Sequence, residues 1–176
     1  MARYRLLFVL SLMVAMGGHS LQAAGPPNFS GIWKVDLNAP ESIPMEAILE
    51  AQGVPRIKRK AMDTMPMTQV ITQTDKTLNI KIETAMGTQT QILTLDGRTE
   101  IRDTDQNIGK VESRSFWDKN GTTIVSVSKY AMPDGHKAEW TTRRYLQDQG
   151  TTLIVDHVLT FDDGRKLNAK RVLRKQ

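Results

Sequence analysis

From Met67 onward, apolar and polar residues alternate in short runs. TLNIKIET sets Leu78, Ile80 and Ile82 on one face, and TTLIVDHVLTF does the same with Leu153, Val155, His157, Leu159 and Phe161. In TTIVSVSKY, Ile124 falls on the face opposite Val125 and Val127. A period of two marks strands with one buried face. The runs are broken at Asp75-Lys76, Asp96-Gly97, Asn120-Gly121, Asp134-Gly135, Gln149-Gly150 and Asp163-Gly164. Asp-Gly and Asn-Gly supply the positive φ angles that tight hairpins need. One candidate strand precedes residue 40 and nine follow residue 66, ten in all. A sheet of that width curls and closes, so the expected fold is all-β, a ten-stranded antiparallel up-and-down β-barrel.

One stretch breaks the alternation. PESIPMEAILEAQGVPRIKRKAMDTMP, residues 40–66, reads as two short helices. Ser42 is placed to cap the first, with Pro44 in its first turn. Met45, Ile48 and Leu49 form its apolar stripe, and Gly53 is a C-terminal stop. Pro55 opens the second helix, Ile57, Ala61 and Met62 form its apolar side, and Pro66 ends it. Helices this short need another element to lie on. A helix-turn-helix packed on another element is therefore expected between the first and second strands.

The chain has 176 residues, which suits one domain. Its start has a separate character. Arg3 and Arg5 precede the apolar run Leu6 to Met16, and small residues Ala23, Ala24 and Gly25 follow. This is the layout of a secretory signal peptide over 1–24, a retained anchor being the alternative. The expected location is periplasmic or secreted, with the barrel over 28–175. Loss of the leader takes the balance from 24 basic and 19 acidic residues, net +5, to 22 and 19, net +3. That mild excess gives no concentrated stripe of the kind nucleic-acid proteins carry. There is no cysteine, so an exported domain of this kind relies on its core alone.

Three segments resemble the fatty-acid-binding-protein branch of the calycin superfamily, which also contains the lipocalins. NFSGIWKVDL, residues 28–37, is similar to that branch's F-x-G-x-W-K-hydrophobic opening strand. EAQGVPRIKRKAM resembles its A-L-G-V-x-x-x-x-R-K helix pair, and KRVLRK its closing R-x-Y strand. The leader is a departure, since most members of that branch are cytosolic. The resemblance implies a closed sheet around a partly hydrated cavity, with the helices over its mouth. It also implies a carboxylate held by two inward arginines and a tyrosine. The arginine of R-x-Y falls on Arg171, and the tyrosine falls on Leu173, so that hydroxyl is missing. The other arginine belongs to the strand before the Gln149-Gly150 turn.

Pairing across that turn can be derived. If Gln147 faces Thr152, then Arg144 faces Val155, Thr142 faces His157 and Trp140 faces Leu159. Arg144 is then inward, with Arg143 the alternative if the register slips by one residue. Buried cations without partners are costly, and a carboxylate fits the guanidinium fork. Arg144 and Arg171 therefore form a candidate anion site, with Thr142, Val155, His157 and Leu173 beside it. The competing reading pairs both arginines with internal acids. His157 serves either as a hydrogen-bonded structural residue or as a source of pH sensitivity.

RIKRK makes the second helix basic, and Arg56, Ile57 and Lys60 form a candidate portal or transient contact with an acidic membrane surface. A solvated helix face is the plainer reading. Met45, Met62, Met65 and Met67 gather near the same lid, where methionine adapts to varied shapes. Gly31 and Trp33 are structural: with Phe29 and Val35 they share one face, where the tryptophan corks the closed end. DTDQNIG begins like a calcium loop but has Ile108 and Arg114 at the positions for glycine and glutamate, and reads as a hairpin loop. No metal site or cofactor is expected. The chain lacks G-x-S-x-G, a phosphate loop and a dinucleotide fingerprint, so no catalytic residue is assigned. The expected function is that of an exported, monomeric, non-enzymatic binder of a small hydrophobic or amphipathic anion such as a fatty acid. An envelope or surface interaction module with a filled barrel is the alternative.

Overall fold

The period-two runs form strands, and the interrupted stretch forms two helices. The computed structural model describes residues 25–103 and 109–176. The expected leader and the centre of the DTDQNIG loop, 104–108, lie outside the described residues. The elements are β1 (Gly31–Val35), α1 (Glu46–Ala51), α2 (Arg56–Thr64), β2 (Met67–Gln73), β3 (Thr77–Thr84), β4 (Gly87–Thr94) and β5 (Glu100–Asp103). They continue with β6 (Lys110–Trp117), β7 (Thr123–Ala131), β8 (Lys137–Gln147), β9 (Thr152–Phe161) and β10 (Lys166–Lys175).

The ten strands form one antiparallel sheet in the order β4-β3-β2-β1-β10-β9-β8-β7-β6-β5. Hairpins join all neighbours but two. The exceptions are β1–β2, which the helices connect, and β1–β10, where Trp33 lies opposite Lys175 and Val35 opposite Leu173. The sheet curls until β4 lies against β6, and β4 and β5 remain its unbonded edges. Closure thus comes from curvature, with a seam in place of a last ladder. The seam is polar. Thr94 donates to Glu100 at 2.9 Å, and hydroxyl pairs Ser113–Ser128 and Ser115–Ser126 stand at 2.9 Å on the adjoining strands.

Trp33 is fully buried at one end of the curl, among Phe29, Leu78, Ile80, Ile124, Leu153 and Leu173. Its indole N–H donates to the Phe29 carbonyl at 2.8 Å, so its polar atom is satisfied within the floor. Gly31 has φ 144°, and a Cβ there would meet Lys175 Cε at 3.1 Å. The glycine leaves room for the Lys175 side chain, whose ammonium sits 5.3 Å from the Trp33 ring. This apolar end closes the curl from below.

The helices cover the other end. α1 begins later than the capping pattern around Ser42 predicts. Ile43 bridges Lys170 of β10, so the chain is still extended there. The first helical turn is served from α2 instead: Asp63 Oδ1 accepts the Met45 N–H at 2.8 Å. Gly53 does end α1. At φ 75° it allows Gly53 N–H to reach Glu50 O and Val54 N–H to reach Leu49 O, both at 2.9 Å, the paired bonds of a Schellman stop. Ile48 is fully buried against Tyr130, Leu159 and Phe161, which anchors a helix too short to stand alone.

Candidate functional site

The β8–β9 ladder pairs Arg144 with Val155, Thr142 with His157 and Trp140 with Leu159. β10 continues the rungs, with Arg171 beside Val155 and Leu173 beside Leu153. Arg144, Val155 and Arg171 therefore share one rung of the inner face, while Arg143 points outward and is exposed. Between this wall, β2–β3 and the helices lies a cavity of about 340 Å3. One part of its lining is apolar: Val35, Met45, Met62, Met65, Met67, Ile82, Trp140 and Val155. The remainder is polar: Gln69, Gln91, Ser126, Ser128, Thr142, Arg144, His157 and Arg171.

The two arginines differ in their partners. Arg171 is paired with Asp63 of α2 at 2.5 Å and also donates to the Met62 carbonyl at 3.2 Å. Asp63 thus ties α1, α2 and β10 together, and the Arg171 charge is spent holding the lid. Arg144 is 6% exposed, and its Nε and Nη1 have no hydrogen-bond partner among the described residues. Burial pushes its pKa down to about 10, still far above neutral, so it remains a cation.

His157 receives the Trp140 indole N–H on Nδ1 at 3.3 Å, with Thr142 Oγ1 3.1 Å from the same atom. An accepting Nδ1 puts the proton on Nε2. Burial, then Arg144 and Arg171, push its pKa down to about 3, so the ring is neutral. Among the described residues, no three His, Cys, Asp or Glu side chains gather where they could hold a metal.

Two expected residues, Leu173 and Ile57, sit elsewhere. Leu173 is wholly buried in the floor cluster with Leu153 and Val35, outside the cavity lining. Arg56 and Lys60 face solvent as the basic helix face requires, but so does Ile57, which is 86% exposed. The reason is the rotation of α2. Arg59 donates to Val54 O at 2.9 Å and pairs with Glu50 at 3.0 Å, and Asp63, four residues on, pairs with Arg171. That face is held inward, and Ile57 lies nearly opposite Arg59 on the helix. Met62 and Met65 take the positions at the cavity mouth. Asp63 and Gln69 were not singled out by the sequence; the Arg59/Asp63 spacing was a usable signal for the first. Ser126 and Ser128 follow from the Ile124 parity.

No family model and no curated protein matches the chain. Solved structures do. The REP1-NXSQ fatty acid transporter aligns over 84% of this chain and 95% of its own, at 18% identity and TM-score 0.61. Apo lipid binding protein 8 of Caenorhabditis elegans aligns over 84% and 95%, at 16% and 0.62. Human cRBP IV aligns over 86% and its full length, at 18% and 0.64. The chain shares the fold of these structures, a curled ten-stranded antiparallel sheet with two helices between its first and second strands. In this instance of the fatty-acid-binding-protein fold, the tyrosine of the closing R-x-Y pattern is replaced by floor packing at Leu173, and the arginine is held by Asp63.

Proposed function

We propose that this chain is a non-catalytic carrier of a small amphipathic anion of the fatty-acid or retinoid type, held in the cavity beneath α1 and α2. The observation that carries the proposal is Arg144, a buried cation in the cavity wall with no described partner for Nε or Nη1. An unpaired buried charge is unfavourable, and a ligand carboxylate would offset it through the guanidinium fork. Apolar wall supplies affinity, as in most small-molecule sites, and the volume lies within the usual range of about 300–1,000 Å3. The space left above the Trp33 floor speaks against the filled-barrel alternative. The fold neighbours include a fatty acid transporter and a lipid binding protein, which supports the same class. Export belongs to the proposal and rests on the 1–24 sequence. Exchange with an acidic membrane surface rests on the exposed Arg56, Ile57 and Lys60.

Arg144→Met tests the site. The variant should bind stearate at least about tenfold more weakly in a fluorescent-probe displacement assay. It should also be more stable than the parent without ligand, by about 1–2 kcal/mol in chemical unfolding, because a buried charge has gone. A variant that is less stable and binds stearate unchanged would assign Arg144 a structural role and remove the proposal.

A further inference from the structure

A second buried polar group lines the same cavity. Gln69 of β2 is 6% exposed, on the rung of Trp33 and Ile82, so it faces inward. Its amide nitrogen lies 4.0 Å from the Met67 sulfur, its one hydrogen-bond contact through the side chain. Sulfur is an acceptor, so the N–H end takes it, and Oε1 is left enclosed beside the cavity that Gln69 lines. That oxygen has no partner among the described residues. Arg144 offers unpaired donors, and Gln69 offers an unpaired acceptor. The two lie four strands apart round the sheet, on β8 and β2, so one ligand meets both only by reaching across the cavity.

We infer that the ligand is an acid bearing a hydroxyl remote from its carboxylate, the carboxylate meeting Arg144 and the hydroxyl donating to Gln69 Oε1. This rests on the anion-carrier reading above and narrows it. A plain alkyl chain passing Gln69 would leave the buried amide oxygen without a hydrogen bond, which is costly. A hydroxyl restores that bond. The serines 126 and 128 do not replace Gln69 in this role, because each already has a hydroxyl partner.

The test compares stearic, 2-hydroxystearic and 12-hydroxystearic acids as competitors of a bound fluorescent probe on the purified, delipidated chain. The 12-hydroxy acid should compete about tenfold better than stearic acid. The 2-hydroxy acid, whose hydroxyl stays beside the carboxylate, should match stearic acid. Gln69→Leu should abolish the 12-hydroxy preference and leave stearic acid binding equal or stronger. Gln69→Met serves if the leucine variant does not fold by circular dichroism. Three equal affinities would overturn this inference and leave the carrier reading standing. A 12-hydroxy preference that survives in both Gln69 variants would also overturn it. Failure of all three acids to compete would overturn both readings.

Discussion

His157 takes up a proton near pH 6.5 in the unfolded chain but only at about pH 3 in the folded one. Between those values the unfolded state binds more protons. The stability from a neutral His157 is therefore complete above about pH 6.5 and drains as the pH falls toward 3. One such group gives a slope of at most about 1.4 kcal/mol per pH unit. His157→Gln should flatten the acid limb of the melting temperature against pH. An unchanged limb would assign acid sensitivity to the surface carboxylates. The position of this residue was legible in advance, because the turn at Gln149-Gly150 fixes register and a period of two fixes face. Thr142 opposite it followed from the same ladder, whereas the diagonal Trp140 indole bond did not. The orphan oxygen of Gln69 did not, since parity says which face a side chain takes and nothing about which bonds it lacks there. Leu173 was misread for a related reason. Its absent hydroxyl drew attention to the site, whereas its neighbours Leu153 and Val35 make it part of the floor.

α2 presents two different faces. Its inner face is ionic where the sequence pattern promised an apolar one: Arg59 and Asp63 hold it down, and the apolar Ile57 is left in solvent. Charge pairs formed with distant elements override a local hydrophobic stripe, and Arg171 is 108 positions from its partner. Asp63→Ala removes both the Met45 and the Arg171 contacts. It should lower stability by about 1–3 kcal/mol. It should also speed amide hydrogen exchange in both helices while β8 and β9 stay protected. Uniform loss of protection would show that the helices and sheet unfold as one unit. The outer face, with Arg56, Ile57, Lys58 and Lys60, is exposed and basic. Lys58→Glu with Lys60→Glu should reduce co-sedimentation with phosphatidylserine vesicles at low salt and leave binding to neutral vesicles unchanged. Equal sedimentation of parent and variant would remove the membrane role.

At the scale of the molecule, the strand count, most of the turns and the place of the helices were readable, because each depends on short-range patterns; the β3–β4 turn at Ala85-Met86, which lacks an Asp-Gly or Asn-Gly pair, was not. The seam between β4 and β5 was not, since no local pattern states which two edges fail to pair. The ladder between β1 and β10 has a consequence for how the protein is made. β1 has two neighbours that emerge at very different times. β2 follows soon after the helices, but β10 comes after every other strand of the sheet. Until then β1 keeps a bare edge, and the floor lacks Leu173 and Lys175. Contacts so far apart in sequence form late and slowly. The sheet is therefore completed only once the chain through Lys175 is free to pair. With the proposed export, a chain passed across a membrane before β10 pairs would be threaded still open, and β10 would lock it after passage.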